Sequence, residues 1–357
     1  MEICLINRFD QINPEKLIWN RLAQKSGLNT IFQTYEWHQA WWEVFGDDRE
    51  LFVIVAKEDG EVVGIAPLMI TCQDTILARK RIVEFIGSGT SDYCNFITNE
   101  SCENIIPLMI EFLFENRNRW DCLKLTGITE NSVLSKILIG ACSRHMRGKF
   151  FVKYSNSHKL VINNYDNEVK RVLRKKSLRR RQNHFRKQGS YEVDHLFDPA
   201  KIETHLNSFF EQHISRWKSS RTPSQFLNEK SRRFFLRLVE NLGSNNWLLF
   251  SVIRSGGIPL AYHFGFNFNG ILTWYTPSFN QVFLKYSPGQ VLLKELLDYA
   301  IQERMDAFDF TIGSEEYKKR FSNETGRVQS FYIYSNYLDY ELERMGSLFR
   351  KVVRLAT

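Results

Sequence analysis

The sequence predicts an α+β fold of layered helices and mixed sheets, and it predicts that fold twice. Three observations carry this. Two apolar hairpins recur at a constant offset of 196 residues, LFVIVAKEDGEVVGIAPLMI from Leu51 and WLLFSVIRSGGIPLAYHFGF from Trp247. The same offset lays the aromatic, helix-like YEWHQAWWEVF (35–45) over SRRFFLRLVEN (231–241). Each half then reads as helix, hairpin, strand, helix, strand, and 357 residues with 43% hydrophobic content give room for two domains of ordinary size. The division this implies is 1–160 and 161–357, each with a mixed central sheet flanked by helices.

The elements follow in order. Asp59-Gly60 and Gly256-Gly257 are hairpin turn signals between apolar strands. After the first hairpin, RIVEFIGSGTSDYCNFIT (81–98) reads as strand, glycine turn and strand, CENIIPLMIEFLFENRNRW as a helix broken near Pro107, and CLKLTGI as a strand. After the second come a strand over 271–277, a helix over 288–304, the strand AFDFTIG (307–313), a short helix from Ser314 and the strand VQSFYIY (328–334). The helix at 288 has its own start signal. Ser287 is a candidate N-cap, Pro288 suits the first helical position and Gln290 completes a capping box. Leu293, Leu296, Leu297, Ala300 and Ile301 then form its buried face. A strand entering a helix through such a turn also aims backbone N–H groups at whatever docks there, phosphate included, although an ordinary capped helix has the same sequence.

Composition narrows the class. With 25% charged residues the chain is globular, and its first ten residues include Glu2, Arg8 and Asp10 where a secretion signal would be apolar. The most apolar windows, such as IIPLMIEFLF (105–114), are too short for a membrane span of about 20 residues. A soluble, cytoplasmic protein is expected. The six cysteines (4, 72, 94, 102, 122 and 142) lie in the first half without metal-ligand spacing and read as buried free thiols. Charge is concentrated in KRVLRKKSLRRRQNHFRK (170–187), which holds ten Lys and Arg and no acid; against +8 for the chain this leaves about −2 elsewhere. Leu173, Leu178 and Phe185 would dock this segment as a surface helix. Its cationic face suits nucleic acid, an acidic membrane surface or a phosphorylated ligand, or is simply solvated. No Ser-His-Asp order, HExxH, EF-hand loop or P-loop is present, so hydrolase, metalloprotease and NTPase readings lack support and no metal is required.

The second half resembles the GNAT acyl-CoA N-acyltransferase fold. ISRWKSSRTPSQF (214–226), YSPGQVLL (286–293) and FDFTIGSEEYKKRF (308–321), in that order, are similar to motifs of the CelD-like acetyltransferases associated with polysaccharide biosynthesis. GSGTSDYCNF (87–96) is similar to that family's first-half motif. The resemblance covers most of residues 30–335 and implies a tandem GNAT pair like that of the Fem-type aminoacyltransferases. It implies acyl-CoA, acetyl-CoA in the simplest case, as co-substrate, held at Ser287, Gly289 and Gln290, with Lys318, Lys319 and Arg320 either gripping donor phosphates or coating a short helix.

An amine attacking a thioester needs proton removal, oxyanion stabilisation and a proton for the leaving thiolate. The resemblance places Tyr317 where a tyrosine would protonate the sulfur; a packed, hydrogen-bonded tyrosine is the alternative. His263, on the second hairpin, is a candidate base or a core histidine. Asp309 interrupts an apolar strand and is either a structural hydrogen-bond anchor or an acid-base group. Asp92 and Tyr93 have the family's Ser-Asp-Tyr context and would bind the acceptor, or stabilise a turn. Trp217, next to Arg216, matches a family motif and otherwise belongs to the core. The function implied is acyl transfer from acyl-CoA to an amine, such as an amino sugar or another small-molecule or glycan precursor of the cell envelope or exopolysaccharide. Aminoacyl transfer from a charged tRNA, with 170–187 as contact surface, and a tandem-GNAT protein that binds nucleic acid or acidic polymer without catalysis remain open.

Overall fold

The computed structural model describes residues 1–75, 78–99, 102–146, 148–162, 169, 176–187, 189–218, 220 and 222–345. Residues 170–175, including Leu173, lie outside them. Two compact units form: Met1–Ser155 together with the chain from Arg327 onward, and Asn156–Gly326.

The first unit holds, in chain order, β1 (Glu2–Ile6), α1 (Lys16–Lys25), α2 (Tyr35–Phe45), β2 (Arg49–Leu51), β3 (Val53–Glu58), β4 (Glu61–Ala66), β5 (Leu68–Asp74), β6 (Arg79–Phe85), β7 (Ile97–Thr98), α3 (Cys102–Glu115), β8 (Cys122–Thr129) and α4 (Val133–His145). Strand β9 (Phe150–Val161) carries the chain into the second unit. One antiparallel sheet has the order β1-β3-β4-β7. In the other, β2, β5 and β6 are antiparallel neighbours and β6 lies parallel to β8. Ile105, Met109 and Leu113 of α3 and Leu134, Leu138 and Ala141 of α4 share one core with Phe52, Ile54, Leu68, Val83, Phe85 and Leu125. Helix α3 is continuous through Pro107 rather than broken there. The carbonyl that Pro107 leaves without an N–H partner is that of Glu103, an exposed residue whose backbone water can satisfy.

The second unit holds α5 (Lys176–Arg186), β10 (Tyr191–Leu196), α6 (Pro199–Trp217), α7 (Glu229–Gly243), β11 (Leu248–Ser255), β12 (Ile258–Phe268), β13 (Ile271–Phe279), α8 (Pro288–Gln302), β14 (Ala307–Ile312) and α9 (Glu316–Phe321), after which β15 (Glu324–Tyr334) leads back into the first unit to pair with β8. Its sheet runs β10-β11-β12-β13-β14-β9, antiparallel except for β13 beside β14. Both faces of the sheet are covered. Leu249, Ile253, Leu260 and Leu272 meet Val291, Leu292 and Leu296 of α8 and Leu178 and Phe185 of α5. On the opposite face Phe209 of α6 stacks on Phe264 and meets Phe250 and Tyr262 edge-on, and Phe235 of α7 packs 4.6 Å from Phe264.

The hairpin recurs in the backbone, with its turn and its bulge each 197 residues from their counterparts rather than the 196 of the sequence pattern. Both hairpins turn through two left-handed residues, Asp59 and Gly60 (φ 52° and 84°) and Gly256 and Gly257 (57° and 76°). That is the turn whose twist matches paired strands. Each hairpin carries a bulge just beyond the second pair from its turn, at Ala56/Lys57 and at Ile253/Arg254. Two details differ from expectation. The region 81–98 keeps only Arg79–Phe85 and Ile97–Thr98 as strand, because the residues between wrap into a hydrogen-bonded turn. The five described cysteines are unpaired, but Cys72 is exposed and Cys4 and Cys122 half-buried; Cys94 and Cys142 alone are buried.

Candidate functional site

In the second unit β13 and β14 lie parallel yet pair only where Ile271, Leu272 and Thr273 face Ala307, Phe308 and Asp309. Beyond that point each strand acquires an extra residue relative to its other neighbour. Thr273 and Thr276 of β13 face Phe266 and Phe264, so Trp274 and Tyr275 share one partner position. Asp309 and Ile312 of β14 face Lys159 and Ser157 of β9. Bulges bend and twist the strand that carries them, and the two strands part.

His263 occupies the inside of the first bulge. Its ring stacks on Trp274 at 4.5 Å, and its Nε2 accepts the Tyr275 N–H at 3.2 Å. Only glycine fits at 265, because a Cβ there would overlap the imidazole. Burial, with the nearby His195, pushes the His263 pKa down to about 3. The ring is neutral at physiological pH, lies beneath Trp274 and does not line the cavity described next. Asp309 serves the second bulge in the same way: it is 5% exposed, accepts the Thr311 N–H at 2.7 Å where the backbone turns left-handed (φ 60°), and lies 3.8 Å from Lys159 Nζ.

Where the strands part there is a cavity of about 230 Å³ walled by Arg216, Trp274, Phe279, Ser287, Gly289 and Tyr317. Helix α8 starts at its edge. Pro288 is the first helical residue, as the sequence predicts, but the capping box does not form. Ser287 adopts a left-handed backbone (φ 53°, ψ 57°) that leaves its hydroxyl without a cap bond, and the Gln290 side chain instead accepts from Arg181 of α5. The amides of Gln290 and Val291 both turn back to the Ser287 carbonyl, at 3.0 and 3.3 Å. Gly289 N–H, which points out of the first turn, has no acceptor among the described residues. A Cβ on Gly289 would sit 3.2 Å from the Phe279 ring, so this glycine sets the width of the cavity.

Two further side chains give the cavity its chemistry. Arg216 donates from Nη1 to the Pro277 carbonyl at 2.6 Å and lies over the rings of Phe279 and Trp217, at 4.6 and 5.3 Å. Burial lowers its pKa, against the pull of Tyr317 and Glu315. No carboxylate among the described residues forms an ion pair with it, so its charge is available to an anionic or strongly dipolar ligand. Tyr317 accepts the Trp274 indole N–H at 3.1 Å. Burial, followed by Glu315, pushes its pKa up to about 12, although Trp274 and Arg216 act the other way. The phenol is therefore protonated at neutral pH, and with its oxygen already accepting from Trp274 its own proton is free to be donated.

The remaining predicted residues fall elsewhere. Lys318 turns inward, donating to the Ile312 carbonyl at 2.6 Å beside Glu315 at 3.5 Å. Trp217 backs Arg216 without lining the cavity. Asp92 and Tyr93 belong to the first unit, where Tyr93 is buried against Phe32. Reading the sequence singled out Ser287, Gly289, Gln290 and Tyr317 but missed Arg181, Trp274 and Phe279. The aromatic pair Trp274-Tyr275 in a strand followed by Ser-Pro-Gly was the available signal. A larger cavity of about 810 Å³ in the first unit is lined by Lys80, Lys124 and Lys153. Its cations are already matched, Lys80 to Asp339 at 2.8 Å, Lys124 to Glu84 at 2.9 Å and Lys153 over the Tyr332 ring at 4.5 Å. Among the described residues no group of three or more His, Cys, Asp or Glu is placed to hold a metal ion, and no helix is long and apolar enough to cross a membrane.

Comparison with known proteins reaches the same part of the chain. Residues 173–319 match the acetyltransferase (GNAT) domain family. Every residue named above as a wall of the 230 Å³ cavity falls inside that match. The crystal structure of FemX superposes with a TM-score of 0.62 at 10% identity, over 92% of this chain and 97% of that one. L-PGS from Bacillus licheniformis gives 0.53 at 12%, over 90% and 97%. A tandem GNAT protein from the clavulanic acid biosynthesis pathway gives 0.50 at 9%, over 92% and 98%. At such identities the likeness is one of fold, and the fold is that of tandem GNAT proteins. No curated protein matches the sequence. The GNAT domain supports a transferase, and its cavity lies at the N-terminus of α8.

Proposed function

We propose that the second unit transfers an acyl group from an acyl-CoA thioester to an amine. The observation that carries this reading is the convergence, on one cavity, of the Gly289 amide at a helix N-terminus and the guanidinium of Arg216, neither of them satisfied by an acceptor or carboxylate partner of its kind among the described residues, with the protonated phenol of Tyr317. Gly289 N–H and the first turn of α8 fit a donor phosphate, with Arg181 alongside. The apolar walls of Trp274 and Phe279 fit the thioester arm. As the amine nitrogen bonds to the carbonyl carbon and the C–S bond breaks, Tyr317 gives its proton to the departing sulfur and is reprotonated from solvent, which also takes the amine proton. His263, neutral and covered by Trp274, shapes the wall and takes no proton. The motifs at 87–96 and 286–293 support an acceptor amine on a cell-envelope or exopolysaccharide precursor.

Calorimetric titration with acetyl-CoA and longer acyl-CoAs tests the donor. Saturable binding that Gly289→Trp abolishes is expected; no binding of any acyl-CoA by the parent chain refutes the reading. Aminoacyl transfer from a charged tRNA is the second reading, favoured by the exposed cations of α5 beside Arg181; tRNA binding without acyl-CoA binding would select it.

A further inference from the structure

We propose that the second unit docks on an anionic membrane surface through α5 and the turn that leads into α8. Helix α5 has two unlike faces. The inner one is fastened: Gln182 donates to Glu295 at 2.6 Å, Phe185 is buried against Phe283 and Tyr286, and Arg186 lies 3.8 Å from Glu295. The outer one carries Lys176, Arg179, Arg180 and Lys187, all exposed around a shallow depression and none ion-paired with a described residue. Helix α5 has no acid in its own sequence to offset these four cations, and such a one-signed face fits an anionic partner.

The neighbouring turn decides which polyanion they fit. His184 of α5 stacks on Tyr286 at 3.7 Å, which joins the helix to the 3-10 turn Gln281–Tyr286. That turn holds Val282 at 81% and Leu284 at 54% exposure, with the exposed Lys285 following. Nucleic acid offers phosphate and aromatic bases, and it gains little from two aliphatic side chains presented beside the cations. A bilayer interface offers both partners at once: headgroup phosphate for the cations, and the acyl boundary a few ångströms deeper for Val282 and Leu284. Leu284 also lines the 230 Å³ cavity, so the docked face would carry the cavity mouth. The inference does not depend on acyl-CoA binding, and it gives to the membrane the cations that the tRNA reading would use.

Sedimentation of the full chain with lipid vesicles tests it. Vesicles containing about one third phosphatidylglycerol should carry the protein down, those of phosphatidylcholine alone should not, and added salt should release it. Each cation is worth about fivefold in partitioning, so Arg179→Gln with Arg180→Gln should weaken binding on the order of 25-fold. Val282→Asp with Leu284→Asp should weaken it at least tenfold. Leu236→Asp, the same change at an exposed site on α7 across the sheet, should leave it unchanged and guards against a general effect of added acid. Three results overturn the proposal: no binding of the parent chain to anionic vesicles, vesicle binding indifferent to Val282 and Leu284, or tight binding of tRNA with no vesicle association, which would give the surface to RNA.

Discussion

Each unit follows its hairpin with a glycine-bearing turn, and the two turns use glycine for opposite ends. In the first unit Gly87 and Gly89 both have left-handed backbones (φ 94° and 85°). The Gly87 carbonyl collects the amides of Thr90 and Ser91 at 2.9 and 2.8 Å, and Ser91 Oγ accepts the Trp37 indole N–H at 2.8 Å. A Cβ on Gly87 would overlap that hydroxyl, and one on Gly127 would lie 3.0 Å from the Cys94 nitrogen. Gly127 lets backbone close on backbone and Gly87 lets the Ser91 hydroxyl close on the turn, so the turn's polar groups are spent internally. The second turn has one glycine, Gly289, whose missing Cβ faces only the ring of Phe279. Its amide is left over. Glycine content therefore does not locate the site; the location follows from what stands opposite the missing side chain.

The sharpest way to break this contrast is at Tyr317. Replacing it with Phe keeps the ring that packs near Phe310 and Trp274 but removes the proton. If Tyr317 is the general acid, kcat falls on the order of 100-fold while the donor KM stays within about twofold. A structural tyrosine would instead show a lower melting temperature with kcat little changed. Next in size is Gly87→Ala, which forces a left-handed alanine into the Ser91 hydroxyl. We expect a loss on the order of 2 kcal/mol in denaturant unfolding, with donor affinity unchanged. Gly289→Ala, at an ordinary φ and facing a ring that can shift, should lose less than about 1 kcal/mol of stability but weaken the donor. If the two substitutions behave alike, the contrast between the turns fails.

These effects also mark what could be read in the sequence. The hairpins were legible because a two-residue turn with both φ positive demands residues like Asp-Gly or Gly-Gly, a local constraint. The start of α8 was legible for the same reason, through Pro288. The capping box was not, because Gln290 is engaged by Arg181, which is 109 residues away, and because the preceding 3-10 turn, closed by Ser287 N–H on the Leu284 carbonyl at 3.0 Å, sets the Ser287 backbone. The parting of β13 from β14 was equally out of reach. It depends on register against two other strands and on His263 filling a bulge, and neither leaves a periodic trace. Tyr317 was found by family resemblance alone; nothing in its local sequence says that Trp274 will hold its oxygen.

Arg216 offers a smaller effect. Arg216→Met keeps the stem that lies on Phe279 and Trp217 and removes the charge. Donor affinity should fall about tenfold, the scale of one charge-assisted hydrogen bond, and the loss should shrink at high salt. Equal losses at low and high salt would mean that Arg216 acts by packing, and the cavity would then present no charge of its own.

The smallest expected effect concerns pH and separates wall from chemistry. His263 has a folded pKa near 3, against an ordinary 6.5. As pH falls through 6.5 the unfolded chain takes up a proton that the folded chain refuses, so stability declines between about pH 6.5 and 3 and levels off below. His213 of the same unit, buried and held down to about 4, contributes in the same direction. His263→Gln keeps an acceptor for the Tyr275 N–H and has no proton to refuse. Its stability should fall less steeply with acid than the parent's, by an amount on the order of 1 kcal/mol once water entry blunts the shift. The pH dependence of kcat above pH 7 should be identical in the two proteins, because a histidine that is neutral throughout that range and screened by Trp274 has no protonation state to change. A limb on which kcat rises with pH, present in the parent and lost in His263→Gln, would instead make His263 the base, and the bulge would then belong to the chemistry as well as to the wall.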